Sequence, residues 1–251
     1  MLSMKLQAVI LAAGKGTRMK SDIPKPLIPV NGEPMLTTVL RTLADSEVAE
    51  SPVIVVGAWT NAIQDHYGAQ YQYAVQTEIN GTGGAVEVAI PSIDTDEAAA
   101  PVLILYADTP FITIESLQRL QQHIASSQSV MTMYTVTLPD FDGWHEGFIA
   151  FGRVVRDDAG MVDKIVEYKV ATESEQHITE VNPAVYCVKA SWLKTALSRI
   201  TANPTTGERY LTDLVALARA DGLTIDTIPL PPKESFGFNS MADIENAQQL
   251  A

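Results

Sequence analysis

Short apolar runs alternate with segments of helical periodicity along the first half of the chain. The runs at 6–11, 52–56 and 101–106 are nearly continuous in hydrophobic residues, which predicts strands covered on both faces, as in a parallel sheet flanked by helices. Helical spacing follows Met35 and again follows Thr113, so the order predicts right-handed βαβ units in a doubly wound, mostly parallel α/β sheet. The apolar stripes of the two predicted helices are Leu36, Val39, Leu40 and Leu43, and Leu117, Leu120 and Ile124.

The pattern changes after about residue 129. Four strand-like segments follow without long helices between them, and no linker rich in Gly, Ser or Pro separates them from the first half. We therefore expect an antiparallel extension of the same sheet, with a turn at 157–160. Two helices are predicted near 191–199 and 210–220, then a strand at 223–230 and a final helix from about Ser240. The strand-like segments are 129–138, 148–157, 161–168 and 180–190.

Composition excludes several classes of protein. The 251 residues are 46% hydrophobic and 19% charged, which is typical of a globular chain. Seventeen basic against 30 acidic residues give a net charge of −13, which argues against a general nucleic-acid binder. Cys187 is the one cysteine in the sequence, so a disulfide framework and a multi-thiolate zinc site are excluded.

The sequence predicts no association with a membrane. No apolar stretch approaches the ~20 residues that span a bilayer. The apolar run near the N-terminus is short, is interrupted by Gln7 and continues directly into a glycine-rich loop, which disfavours a secretory signal peptide. We therefore expect a cytoplasmic protein.

The strongest chemical signal is the segment LAAGKGTRM at 11–19, directly after the first strand. Ligands of such sheets bind at the carboxyl ends of the strands. Gly14 and Gly16 would let backbone N–H groups approach an anion, and Lys15 and Arg18 would add charge. The loop lacks the ending of a Walker A motif and the third glycine of the dinucleotide fingerprint. By itself it is equally compatible with an ordinary turn that carries two solvated cations.

A proline-rich segment follows this loop. Lys25 stands between Pro24 and Pro26, so its backbone has few conformations while its ammonium group can reach a neighbouring site. A phosphate-binding role is modestly favoured over a plain surface lysine.

Together these segments resemble the sugar-1-phosphate nucleotidyltransferases, which join a nucleoside triphosphate to a sugar phosphate. Further segments are similar, in order and approximate spacing, to the uridyltransferase domain of the bifunctional N-acetylglucosamine-1-phosphate uridyltransferases. The resemblance runs from about Gln7 to Ala247. The segments that carry it are 11–19, 24–36, 76–89, 105–111, 152–172, 178–186 and 206–218.

The resemblance implies a reaction, a fold and a domain organisation. The reaction would join UTP and N-acetylglucosamine 1-phosphate to give UDP-N-acetylglucosamine and pyrophosphate, with Mg²⁺ as cofactor. The fold would be a Rossmann-like sheet of the nucleotide-diphospho-sugar transferase type, whose antiparallel extension binds the sugar. We expect one nucleotidyltransferase domain over 1–251, with a nucleotide-binding half at about 1–128 and a sugar-binding half at about 129–251. The resemblance leaves the oligomeric state open.

The resemblance also implies site residues, position by position. Arg18 and Lys25 would be catalytic, and Asp108 and Asn239 would bind the metal ion. The sugar phosphate would contact Tyr106, Gly152, Glu167 and Asn182. The nucleotide would contact Leu11, Ala12, Ala13, Gly14, Lys15, Gly16, Gln76, Gly81 and Thr82. Gln76 carries a donor and an acceptor on one amide, which suits the edge of uracil.

The chain departs from the family pattern on the sugar side. Ala107 stands where the family usually has Gly, Phe151 where it has Tyr, and Pro183 and Ala184 where it has Thr and Gly. Another hexose 1-phosphate, of the glucose or mannose type with UTP, dTTP or GTP, therefore stays open. A nucleotidyltransferase for a non-sugar phosphate or a cofactor, and a non-catalytic UDP-sugar-binding protein, are further alternatives that the sugar-side and charged motifs disfavour.

Overall fold

The predicted strands and helices occur in the predicted order, and the structure adds short elements that the sequence analysis did not predict, among them β5, α2 and α3. The computed structural model describes residues 4–16, 21 and 23–238. Its strands are β1 (Gln7–Leu11), β2 (Pro29–Val30), β3 (Glu33–Pro34), β4 (Val53–Gly57), β5 (Gln72–Gln76), β6 (Val102–Tyr106), β7 (Met131–Thr137), β8 (Arg153–Arg156), β9 (Val162–Val166), β10 (Glu180–Val181), β11 (Tyr186–Val188) and β12 (Ile225–Pro229). Its helices are α1 (Met35–Ser46), α2 (Ala62–Tyr67), α3 (Thr82–Glu87), α4 (Ile114–Ser126), α5 (Glu173–Gln176), α6 (Ala190–Leu197) and α7 (Asp213–Ala220).

One mixed sheet contains all of these strands except β2 and β3. Its order is β5–β4–β1–β6–β11–β7–β10–β8–β9, and β12 lies on the other side of β7. Strands β5, β4, β1 and β6 are mutually parallel. Antiparallel pairs begin at β11, which lies between β6 and β7, and continue through β10, β8 and β9. The predicted α/β sheet with an antiparallel extension is confirmed.

Both faces of the parallel region are buried, as the continuous apolar runs predict. Ala8 and Ile10 of β1 belong to one hydrophobic cluster, and Val9 and Leu11 belong to a cluster on the other face. Neighbouring residues of a strand point to opposite faces, so helices must cover the sheet on two sides. The stripe of α1 is fully buried and Leu117 and Leu120 of α4 are buried too, while Ile124 packs at the edge of the core.

Thr113 caps the N-terminus of α4. The side-chain oxygen of Thr113 accepts a hydrogen bond from the backbone N–H of Ser116 at 3.2 Å. Such a cap satisfies one of the free N–H groups of the first turn.

Three predicted boundaries differ from the structure. The strand expected at 148–157 begins at Arg153, because 143–148 forms a 3-10 helix whose Phe148 packs on Phe151 with ring centroids 5.0 Å apart. The segment 180–190 divides into β10 and β11, because Pro183 lacks an N–H and Ala184 has a φ of +59°. Helix α7 begins three residues later than expected. The predicted helix from Ser240 lies outside the described residues.

Candidate functional site

A cavity of about 430 Å³ opens at the carboxyl ends of the parallel strands. These ends meet at one edge of the sheet, where ligands of α/β proteins bind. The lining includes the last residues of β1, β5 and β6 and the loops that follow them. Predicted site residues in the lining are Leu11, Ala12, Ala13, Gly14, Gly16, Lys25, Gln76, Gly81, Thr82, Tyr106 and Asp108.

The glycine-rich loop is anchored at its start and has open space farther along. The N–H of Ala12 donates to the carbonyl of Val55 at 2.8 Å, and the N–H of Ala107 donates to the carbonyl of Leu11 at 3.0 Å. Gly16 has a φ of +59°, and a Cβ there would lie 2.7 Å from the Cβ of Lys25, so this position requires glycine. A Cβ at Gly14 would meet nothing within 4 Å, which leaves room for a ligand beside the backbone.

Two predicted residues near this loop are placed differently from the rest. Lys15 is exposed and does not line the cavity. Arg18, the predicted catalytic arginine, lies outside the described residues.

Trp59 supports the glycine-rich loop from β4, a contact that the sequence interpretation missed. Its indole N–H donates to the carbonyl of Ala13 at 3.0 Å. A Cβ at Gly57 would lie 2.3 Å from the indole nitrogen and 2.8 Å from the same carbonyl, so Gly57 makes room for the contact. Nothing in the spacing of the sequence pointed to Trp59.

Lys25 and Asp108 form an ion pair inside the cavity. The ammonium group of Lys25 donates to the carboxylate of Asp108. Their side chains are 13% and 28% exposed, so solvent screens the pair only in part. Eighty-three residues separate them in the sequence. The structure thus brings the predicted phosphate-binding lysine and the predicted metal ligand into direct contact.

The donor set around Asp108 suits a hard divalent cation. Within the ranges that the structure describes, no group of three or more His, Cys, Asp or Glu residues could hold a metal ion. A lone carboxylate suits Mg²⁺, which keeps several waters and takes oxygen ligands from substrate phosphates. The carboxylate already attracts one positive charge, that of Lys25. The residues present therefore fit the ion.

Asn239, the predicted second ligand, lies outside the described residues. The last described residue, Phe238, donates its backbone N–H to the carbonyl of Asp108 at 3.4 Å. A Cβ at Gly237 would also lie 3.7 Å from that carbonyl. The chain therefore reaches Asp108 immediately before Asn239.

Gln76 organises the segment 80–83, which leads into the first turn of α3 and is called the 80–83 loop below. It is 3% exposed, and its side-chain nitrogen donates to the side-chain oxygen of Asn80 at 3.0 Å and to the carbonyl of Gly81 at 3.1 Å. Both N–H bonds of the amide thus have acceptors within the protein. We expected both the donor and the acceptor of this amide to face a base. Because the donor is bonded within the protein, only the side-chain oxygen is left for a base.

The segment 208–212 connects this loop to a second group of predicted residues. The N–H of Leu211 donates to the side-chain oxygen of Thr82 at 2.9 Å, and the hydroxyl of Thr212 donates to a carboxylate oxygen of Glu167 at 2.9 Å. Glu208 lines the cavity, as does Lys169. The sequence interpretation gave these residues no roles, although the segments that contain them carried the resemblance.

Gly152, Glu167 and Asn182 form a separate group that does not line the cavity itself. A Cβ at Gly152 would lie 3.6 Å from a carboxylate oxygen of Glu167. The N–H of Asn182 donates to the carbonyl of Gly152 at 2.9 Å, and its side-chain amide donates to the hydroxyl of Tyr186. Burial raises the pKa of Glu167 above its usual value, while the hydrogen bond from Thr212 opposes the rise.

Tyr106 lies between the two groups. It lines the cavity, and burial raises the pKa of its phenol, with the charges of Glu167 and Asp108 adding to the rise. The Thr82 side chain opposes part of this rise in pKa. The phenol therefore stays protonated and can donate or accept at the junction of the cavity and the Glu167 group.

The charges of the cavity are balanced in the part of the chain that the structure describes. Lys25 and Lys169 are the lining residues with positive charge there, and Asp108 and Glu208 are the ones with negative charge. A triphosphate would add several negative charges to this balance. The site thus depends on further cations or on backbone N–H groups to bind such a ligand.

No helix among the described residues combines the length and the apolar character that a membrane span requires.

Solved structures of two nucleotidyltransferases have the same fold as this chain. A UDP-glucose pyrophosphorylase complexed with UDP-glucose superposes with a TM-score of 0.77 at 17% identity over 98% of both chains. A putative glucose-1-phosphate thymidylyltransferase from Bacillus anthracis, in complex with a sucrose, gives 0.74 at 16% identity over 98% of this chain and 95% of that one. At these identities the matches establish the shared fold.

Sequence comparison establishes the family. The bifunctional protein GlmU of Geobacillus thermodenitrificans is 36% identical over 247 residues, which cover 98% of this chain and 52% of the relative. The GlmU of Pseudomonas fluorescens is 39% identical over 252 residues, with the same coverage. The chain thus spans about half the length of these curated relatives. The family described as the MobA-like NTP transferase domain matches residues 8–207, and the chain belongs to that family.

Proposed function

We propose that the chain transfers a nucleotidyl group from a nucleoside triphosphate to a sugar 1-phosphate, with UTP and N-acetylglucosamine 1-phosphate as the preferred pair. The carrying observation is the cavity at the strand ends, which is lined by the glycine-rich loop, Lys25, Asp108 and the 80–83 loop. The curated relatives are named as bifunctional GlmU proteins, which supports this pair. Their second activity is no part of the proposal.

The proposed reaction is an in-line displacement at the α-phosphorus. A phosphate oxygen of the sugar 1-phosphate forms a bond to the α-phosphorus, the bond from that phosphorus to the bridging oxygen breaks, and pyrophosphate leaves with the electron pair. The attacking phosphate is already ionised at neutral pH, so the step needs no general base. Positioning and electrostatic stabilisation then supply most of the catalysis.

The glycine-rich loop and two cations would bind the triphosphate. Backbone N–H groups near Gly14 and Gly16 would donate to phosphate oxygens. The Lys25 ammonium would leave Asp108 and bind the phosphates, and Arg18 would add a second positive charge. Asp108 and Asn239 would hold Mg²⁺, which when bound supplies Lewis acidity to the phosphates. The contact of Phe238 with Asp108 supports this pair of ligands.

Gln76 would select the base. Its two N–H bonds are used by Asn80 and Gly81, so its oxygen would accept the N3–H of uracil. Cytosine has an unprotonated acceptor at that position and would leave the buried oxygen without a donor, which costs affinity. The pyrimidine would lie against Gly81 and Thr82.

The half at 129–251 would bind the sugar through Gly152, Glu167 and Asn182, and Tyr106 at the end of β6 would add a contact from the other half. A carboxylate, an amide and a phenol can accept from and donate to sugar hydroxyls and an acetamido group. The hydrogen bond from Thr212 to Glu167 and the one from Leu211 to Thr82 link this group to the base end.

A different hexose 1-phosphate is the second candidate substrate, and one observation favours it. Ala184, where the family usually has glycine, has a φ of +59° two residues after Asn182. Its methyl group and the ring of Pro183 add bulk beside a proposed sugar contact. A UDP-glucose pyrophosphorylase and a putative glucose-1-phosphate thymidylyltransferase are among the solved structures with the same fold.

A matrix of four nucleoside triphosphates against several sugar 1-phosphates tests the proposal, with pyrophosphate release as the measurement. We expect fastest release with UTP and N-acetylglucosamine 1-phosphate and a strict requirement for a divalent cation. Asp108→Asn should lower turnover by about two orders of magnitude or more. Asp158→Asn, in the exposed turn at 157–160, is the matched control and should match the wild type.

Each other outcome has a defined meaning. Release with UTP and glucose 1-phosphate alone would favour the second candidate substrate. Binding of a UDP-sugar without release from any pair would replace the enzyme with a UDP-sugar-binding protein. Equal turnover of Asp108→Asn and the wild type would remove Asp108 from the site.

A further inference from the structure

The Arg209 side chain ties together the ends of two helices. Its guanidinium donates to the carbonyl of Leu197 at 2.6 Å and to the carbonyl of Ile200 at 3.0 Å, and it pairs with the carboxylate of Glu87. Leu197 is the last residue of α6 and Glu87 the last of α3. The guanidinium thus bonds one carbonyl at the C-terminal end of α6 and one just beyond it, and the Arg209 side chain is only 18% exposed.

The backbone of Arg209 pairs with the 80–83 loop. Its N–H donates to the carbonyl of Asn80 at 2.7 Å, and its carbonyl accepts from the N–H of Gly83 at 2.8 Å. Gly81 lies between these two bonds with a φ of +105°, and a Cβ there would lie 2.5 Å from the carbonyl oxygen of Arg209. The backbone at residue 209 therefore packs directly against the 80–83 loop.

The loop is thus held from two directions. Gln76 bonds Gly81 from the sheet, and residues 209 and 211 bond Asn80, Thr82 and Gly83 from the other side. Gly81 and Thr82 line the cavity. Since the guanidinium fixes where the backbone of Arg209 lies, it also fixes where this lining lies.

We propose that Arg209 is a positioning residue for the base end of the cavity, and that its guanidinium sets the affinity for uridine nucleotides and the preference for uracil. The inference rests on the proposed function, because it assumes that a base lies against Gly81 and Thr82. Without the guanidinium, the 209–211 backbone gains freedom, and the loop must be ordered when the nucleotide binds. That ordering lowers affinity. The sugar phosphate, bound around Glu167, is affected less.

Direct binding of UTP and CTP with Mg²⁺, measured by calorimetry without sugar phosphate, tests the inference. Arg209→Lys keeps the charge but loses the fork that reaches three partners. Glu87→Gln removes only the ion pair from a carboxylate that is 44% exposed, so this variant keeps the test valid should Arg209→Lys fail to fold. The matched control is Arg199→Lys, whose arginine forks the carboxylate of Asp221 outside the cavity.

We expect Arg209→Lys to bind UTP about tenfold more weakly than the wild type and Glu87→Gln about threefold more weakly. The ratio of UTP to CTP affinity should fall in both, and the KM for the sugar phosphate should stay within about twofold. Arg199→Lys should match the wild type in all three measurements.

Three results would overturn the inference. Unchanged UTP affinity in both variants, with a wild type that binds UTP, would refute the positioning role and leave the proposed function intact. An equal loss for UTP and the sugar phosphate would indicate a general structural defect and would also refute it. A wild type that binds no nucleotide and releases no pyrophosphate would refute the proposed function itself, and the inference with it.

Discussion

Lys25 donates to the carboxylate of Asp108 in the cavity beside the glycine-rich loop. We propose that Lys25 binds the phosphates and that Asp108 binds the metal ion. Without ligand, the two side chains are therefore paired with each other. A cation that approaches Asp108 must displace the ammonium group. A phosphate that takes the ammonium group leaves the carboxylate exposed to the cation.

Binding of metal and nucleotide should therefore be mutually favourable. Without nucleotide, Lys25→Gln should bind Mn²⁺ about fivefold to tenfold more tightly than the wild type, because the competing ammonium is gone. Titration followed by electron paramagnetic resonance measures this affinity directly. Lys169→Gln, another lysine of the cavity, is the control and should change it less. Equal Mn²⁺ affinity in Lys25→Gln and the wild type would show that the ion pair does not compete.

Trp59 should report nucleotide binding through its fluorescence. Its indole N–H donates to Ala13 in the glycine-rich loop, so a triphosphate bound to that loop should change the surroundings of the ring. The chain has three tryptophans. UTP should therefore change the intrinsic emission of the wild type. It should also change the emission of the control Trp192→Phe, because the indole of Trp192 bonds Asp221 and not the glycine-rich loop. The change should be largely lost in Trp59→Phe, and its persistence there would contradict the assignment of the phosphates to this loop.

Glu167 should make the fold less stable at neutral pH. Burial raises the pKa of this carboxyl in the folded state, so the folded state binds its proton more tightly than the unfolded state does. The free energy of unfolding then falls as the pH rises from the unfolded pKa through the higher folded one. Glu167→Gln keeps an acceptor for Thr212 and avoids the buried charge. It should raise Tm at pH 7.5 by about 2–4 °C, with no gain below about pH 4, where the wild-type carboxyl is protonated in both states.

For the Asp221 carboxylate we expect the opposite effect on stability at neutral pH. Arg199 and Trp192 lower the pKa of this carboxyl to about 2, so Asp221→Asn should lower Tm at pH 7.5. That loss should diminish as the pH falls toward 2. Thermal melts of both variants across this pH range test the two opposite effects on Tm together.

A lower Tm of Glu167→Gln than of the wild type at pH 7.5 would mean that the Glu167 carboxylate is better solvated than the structure indicates.

Ala184 should be a point of strain beside Asn182. Its φ of +59° costs about 1–2 kcal/mol for a residue with a Cβ, and glycine removes that cost while adding entropy to the unfolded chain. Ala184→Gly should therefore raise the free energy of unfolding by up to about 1 kcal/mol in denaturant titrations. Ala171 has a φ of −71°, so Ala171→Gly should instead lower it by about 0.5–1 kcal/mol. A loss of stability in Ala184→Gly similar to that in Ala171→Gly would contradict the strain.

The elements that the sequence predicted best are those that can be recognised from residues close together in the chain. The strands at 7–11, 53–57 and 102–106 are buried on both faces, so nearly all of their positions are apolar, with Gln7 as the polar exception. The stripe of α1 and the cap at Thr113 follow equally local rules. Local spacing also singled out Gly16, which has a positive φ in the structure.

The contacts that the sequence did not predict join residues far apart in the chain. Trp59 reaches Ala13 over 46 residues, and Arg209 reaches Glu87 over 122. Neither contact has a periodic or compositional signal, because it depends on which strand ends become neighbours. The break of the 180–190 segment depended on Ala184 taking a backbone conformation that its residue type disfavours. The pairing of Lys25 with Asp108 was likewise invisible, since each had been assigned a different ligand.

Strand β11 has a consequence for how this protein can change shape. It hydrogen-bonds β6 on one side and β7 on the other, so a single ladder runs without interruption from the strand that carries Tyr106 to the antiparallel region. A rigid rotation of the parallel region against the antiparallel region would break hydrogen bonds of this sheet, so the continuous sheet resists a hinge at that point. We therefore expect movements around the cavity to occur mainly in the loops that line it, where changes of sequence can alter what the cavity binds without altering the sheet.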